Sequence, residues 1–110
     1  MPTCLRWTLL AAATLAGPAW AADAHPAPFA QGDAAQGKAI SDKDCVACHA
    51  RQFNGDADRI YLRPERRVKT PAQLAAQIAY CNTQLSTQYF PEEEAHLAAY
   101  LNGRYYHFKP

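Results

Sequence analysis

The apolar positions of this chain change their spacing several times, and each change marks an element. The first is an unbroken run, TLLAAATLAG at residues 8–17, behind the single basic residue Arg6. A short apolar run after a positive residue, closed by the small-x-small triplet Ala19–Trp20–Ala21, predicts an export signal over residues 1–21. Pro18 breaks the run, which is short and alanine-rich, so a retained membrane anchor is the weaker reading. DAHPAPFAQ follows with no periodicity, and residues 22–32 are expected to be extended.

From Asp33 onward the pattern is helical. Asp33 reads as the N-cap of a helix over AAQGKAISDKDC. Gly37 within it costs about 1 kcal/mol against alanine, so it predicts a close approach by another element. Residues 50–69 show no clean period. They contain a turn signal at Asn54–Asp56 and a basic loop, RPERRVK. Thr70 and Pro71 open a second helix. Its Leu74, Ile78, Cys81 and Leu85 fall at i, i+4, i+7 and i+11, which is one apolar face. Pro91 opens a third helix, with Glu92, Glu93 and Glu94 at the positive end of its dipole. Its stripe is Leu97, Tyr100 and Leu101, and Gly103 is expected to end it. The aromatic RYYHFKP tail follows. With no strands and no repeats, the expectation is an all-α domain of three main helices over residues 33–110.

Charge adds little. Loss of Arg6 with residues 1–21 takes Lys+Arg from 11 to 10, equal to the 10 Asp+Glu, so nothing points to nucleic acid. The remaining chain of about 89 residues is marginal for a core without a covalent or metal staple.

The staple is suggested by CVACH at Cys45–His49, the attachment pattern of haem c. Cys45 and Cys48 would form the thioethers, and His49 would ligate the iron. A zinc site would need a second Cys/His cluster. A redox C-x-x-C belongs beside a βαβ unit. Neither fits this helical pattern. GDAAQGKAISDKDCVACHA resembles the N-terminal helix and haem site of class I c-type cytochromes, and EEEAHLAAYLNG resembles their C-terminal helix. The resemblance implies a class I cytochrome c fold around one covalent haem, with Gly37 letting Tyr100 approach where the terminal helices cross. The export signal fits, because thioether attachment occurs outside the cytoplasm in bacteria, and a periplasmic location with no membrane anchor is expected once the signal is cleaved.

Those cytochromes usually place a methionine opposite the histidine. Met1 is the sole methionine here, and it leaves with the signal. The alternatives for the distal position are Cys81, Asn82, His96, His107, His25 and Lys69. Cys81 precedes Pro91 where the methionine segment would fall, and it is an unpaired thiol in an exported chain. The bland reading is a small buried hydrophobe. His96 reads as a surface histidine, His107 lies in a tail expected to be mobile, and His25 lies in the linker. The second half, with CNTQL, FPEEE and YLN…YY, is similar to the small monohaem cytochromes of the NaxLS type. That resemblance implies His/Cys ligation, dimers of the same or related subunits, and binding of NO and CO. A more distant similarity is to Asn-ligated monohaem cytochromes, which carry a second cysteine where this chain has Phe90. Without it, Cys81 has no disulfide partner.

A thiolate on iron favours the ferric state and lowers the potential. Three functions follow: redox-gated binding of NO or CO, plain low-potential electron transfer to a redox partner protein, or an enzyme. The enzyme reading is weakest, because no acid/base pair is identifiable. In the basic run, Arg66 or Arg67 is suited to a haem propionate. A docking patch for an acidic partner and a solvated loop are the alternatives. The aromatic tail is expected to pack on the body or on a second subunit.

Overall fold

The computed structural model describes residues 27–109 and, apart from them, Gly17. Apart from Gly17, the expected export signal lies outside the described residues, and so does His25. Those described are all-α. Five α-helices run in the order α1 (Ala34–Asp44), α2 (Val46–Gln52), α3 (Arg59–Leu62), α4 (Pro71–Leu85) and α5 (Pro91–Leu101), and a π turn over Asn102–Tyr106 follows. No strand occurs among the described residues, and no helix there is long and apolar enough to cross a membrane.

The helix starts follow from local chemistry. The Asp33 carboxylate accepts from the Ala35 and Gln36 amides at 2.8 and 3.3 Å. Thr70 Oγ1 accepts from the Gln73 amide at 3.2 Å, with Pro71 in the first turn. At α5 the Glu93 side chain reaches back to the Phe90 amide at 2.8 Å, so an acid satisfies a donor that the cap residue leaves free.

α1 lies across α5, and glycine permits it. A Cβ on Gly37 would lie 2.8 Å from Tyr100 Cβ and closer still to the His96 carbonyl oxygen. Gly32 faces Ala95 and Ala99 in the same way. The close approach expected at Gly37 is therefore present, and Tyr100 is part of it. Gly37→Val is expected to cost about 2 kcal/mol through overpacking, a fall of roughly 10 °C in Tm. Gly103→Ala, where an added Cβ meets nothing within 4 Å, should leave Tm nearly unchanged. Thermal unfolding followed by circular dichroism checks both, and an unaltered Tm for Gly37→Val would contradict the crossing.

The core is Tyr61, Val68, Leu74, Ile78, Leu97, Ala98 and Leu101. Three expectations need correction. Leu85 continues the sequence periodicity but is 49 % exposed, because it is the last residue of α4 and Ser86 turns the chain away at φ 53°. Gly103 does not end the third helix. The α-helix stops at Leu101, and the backbone widens into the π turn. The Asn102 carbonyl accepts from the His107 amide at 2.8 Å, and its side chain holds Phe108 through both amide N–H and carbonyl. The left-handed closing residue is His107, at φ 57°. The tail is also not free: Tyr105, Tyr106 and Phe108 pack against the core, and Tyr105 donates to Asp58 at 2.6 Å.

Candidate functional site

CVACH sits where α1 gives way to α2. Cys45 is the residue between the two helices, and Cys48 and His49 lie within α2. Three residues apart, the two sulfurs fall about one helical turn from each other. Cys45 and His49 line a cleft of about 300 Å³. Tyr61 from α3 joins them, with Arg63, Arg66 and Arg67 from the loop after it. α4 contributes Gln77, Ile78 and Cys81, and α5 contributes Leu97 and Leu101. The fold thus gathers the first motif cysteine, the motif histidine and the unpaired Cys81 around one cavity, though their sequence positions are far apart. Cys48 is half-buried outside that lining, and its sulfur accepts from Arg51 Nη2 at 3.0 Å.

The apolar wall has an electrostatic effect. Burial pushes the Cys45 thiol up to about 11, helped by the neighbouring Cys81, Asp44 and Cys48. Burial likewise holds His49 below its ordinary value of 6.5, so its ring is neutral and able to act as a ligand at pH 7. A thiol-exchange motif needs the opposite shift, a thiolate favoured well below the usual thiol range. Among the described residues, no group of three or more His, Cys, Asp or Glu side chains is arranged to hold a bare metal ion. Cys81 is half-buried, and its sulfur accepts from Gln77 Nε2 at 3.3 Å.

The arginines differ in how far they are committed. Arg66 donates to the Tyr61 carbonyl at 2.9 Å and lies over the Tyr106 ring at 4.9 Å. Arg67 is exposed at the rim. Arg63 stacks over Phe53 at 5.6 Å, and its Nε is buried without a hydrogen-bond partner. A cluster of arginines on a cavity wall suits an anionic carboxylate, which a guanidinium binds in a forked geometry. The residues present therefore fit a cofactor that is mostly apolar, reaches thiols and an imidazole, and carries carboxylates.

The remaining distal alternatives are engaged elsewhere. Asn82 holds the α4–α5 connection, donating to the Tyr89 carbonyl at 3.1 Å and to Glu94 at 2.7 Å while accepting from Thr87 and the Tyr89 amide. His96 Nδ1 accepts from the Asp33 amide at 2.9 Å, so it caps α1. Lys69 donates to the Pro64 carbonyl at 3.1 Å, and His107 is exposed. None of the four lines the cleft.

Two lining residues, Gln77 and Tyr61, carry no signal that sequence reasoning used, and Arg63 stands in the basic run RPERRVK without being singled out from it. Gln77 stands one turn before Cys81, an i, i+4 spacing that places it beside the sulfur. Tyr61 and Arg63 lie in the segment without periodicity, where only tertiary contacts decide burial. The chain matches no family model, no curated protein and no solved structure.

Proposed function

We propose that this chain is an exported monohaem c-type cytochrome of the class I fold. In this reading Cys45 and Cys48 hold the haem, His49 is the proximal iron ligand and Cys81 is the distal one. The observation that carries it is the shared cleft: Cys45, His49 and Cys81 line one cavity with Arg63 and Arg66 on its wall. Bound there, the haem supplies one-electron chemistry and, when reduced, an affinity for NO and CO.

The chain's own residues do the rest. Neutral His49 offers a ring nitrogen. The Cys81 sulfur offers a soft donor, and the Gln77 amide steadies its negative charge. Arg63 and Arg66 place positive charge near propionates. Leu74, Ile78, Leu97 and Leu101 exclude water from the interior side. The function is low-potential electron transfer, redox-gated binding of NO or CO, or both. The dimer implied by the resemblance is retained without the tail as its motive, because the tail packs on the body.

Protein produced with a cytochrome c maturation system should carry one haem that acid–acetone does not extract, seen as a mass gain on the intact chain. Carbon monoxide added to the reduced protein should move the Soret band. A haem that extracts cleanly would overturn the covalent reading. A band that stays fixed would leave a plain electron carrier.

A further inference from the structure

Among the described residues, one side chain is hydrogen-bonded to the His49 ring. Tyr61 Oη lies 3.1 Å from His49 Nδ1, with the rings edge to face at 78° and centroids 5.4 Å apart. Tyr61 is only 9 % exposed, and His49 is its single side-chain hydrogen-bond partner among the described residues. Its ring is stacked on Tyr105 at 4.5 Å, and Tyr105 is anchored in turn to Asp58. Its carbonyl is held by Arg66. A residue immobilised on several sides presents its hydroxyl at a defined point.

That point matters for a histidine ligand. Neutral imidazole has one proton, and the nitrogen that binds a metal must lack it. A partner at Nδ1 keeps the proton there, frees Nε2 and fixes the rotation of the ring. Resting on the haem reading above, we propose that Tyr61 is the positioning residue for His49: its phenol oxygen accepts a hydrogen bond from Nδ1–H and aims Nε2 into the cleft. An acceptor on Nδ1–H also makes the imidazole a stronger donor, which favours the ferric state.

Tyr61→Phe keeps the ring and its stack and removes only the acceptor. The holoprotein of this variant is expected to show a raised midpoint potential, a lowered iron–histidine stretching frequency and altered ferric low-spin resonance values. Tyr105→Phe, which removes the neighbouring hydroxyl and leaves the Tyr61–His49 contact, should change none of these beyond a small loss of thermal stability. In the wild-type reduced protein under carbon monoxide, which is low-spin whether or not the gas displaces a ligand, the His49 Nδ1 proton should exchange slowly and show a cross-peak to the Tyr61 ring. That measurement decides the matter even if Tyr61→Phe does not fold. If wild-type protein gains no covalent haem mass, the haem reading and the role of Tyr61 fall together. If the haem is attached but the cross-peak is missing, or Tyr61→Phe leaves potential and spectra unchanged, only the role of Tyr61 is overturned.

Discussion

Cys81→Ala is expected to convert the ferric protein to a high-spin or water-ligated spectrum. In the proposed ligation a thiolate sulfur adds negative charge to the ferric iron. Removing it takes negative charge from the metal, so the midpoint potential should rise by on the order of 0.1 V or more, within the roughly 0.8 V that axial ligands span. Carbon monoxide should bind the reduced variant faster, since no protein sulfur has to leave. His96→Ala is the control. His96 Nδ1 serves the Asp33 amide, so its loss should cost about 1 kcal/mol of stability and leave the haem spectrum as it was. A wild-type ferric spectrum in Cys81→Ala, with a changed one in His96→Ala, would make histidine the ligand and the thiol a packing residue.

The second large effect concerns the proposed haem as part of the core. Cys45→Ser with Cys48→Ser should yield a chain without covalent haem, and that chain should melt without a cooperative transition. A cleft of about 300 Å³ left unfilled would cost up to about 7 kcal/mol at ~24 cal/mol per Å³. This is an upper bound, because water can enter an open cleft and the walls can relax. A domain of about 80 residues has only ~4–12 kcal/mol of total stability. The two magnitudes are comparable, and the fully buried side chains are few: in the hydrophobic core of the described residues only Leu74 and Ala98 fall below 2 % exposure. Circular dichroism at 222 nm against temperature checks the prediction. A sharp transition near the wild-type Tm would show that the polypeptide core suffices alone.

Helix starts were legible because each is decided by a few adjacent residues. Asp33, Thr70–Pro71 and Pro91 begin their elements as local capping chemistry dictates. Gly37 was legible as a cost that needed a reason. The opposite ends were harder to read. Leu85 obeys the period of α4 yet faces solvent, because period describes a helix and not where its neighbour stops. The π turn depends on Asn102 bonding to Phe108, a contact that no propensity encodes. The site divides along the same line. CVACH and an unpaired thiol are readable in one dimension. Tyr61 comes from a stretch without periodicity, and the packing of α3 against the tail gives it its surroundings. Its chemistry appears only once the chain is folded, whereas Arg63 was legible as one charge of a basic run and only its place on Phe53 was not.

The crossing of α1 over α5 also affects the order of events during synthesis. The amide of Asp33 finds its acceptor on His96, 63 residues later in the chain. α1 therefore lacks its main packing partner until nearly the whole polypeptide has been made, and contacts of such long separation are slow to close. A chain delivered N-terminus first presents Cys45 and Cys48 before α5 arrives to close the domain. The motif thus passes through an interval in which it lies on an open, unfolded segment. Covalent modification in that interval needs no unfolding step, and docking of α5 afterwards would lock the modified segment in place.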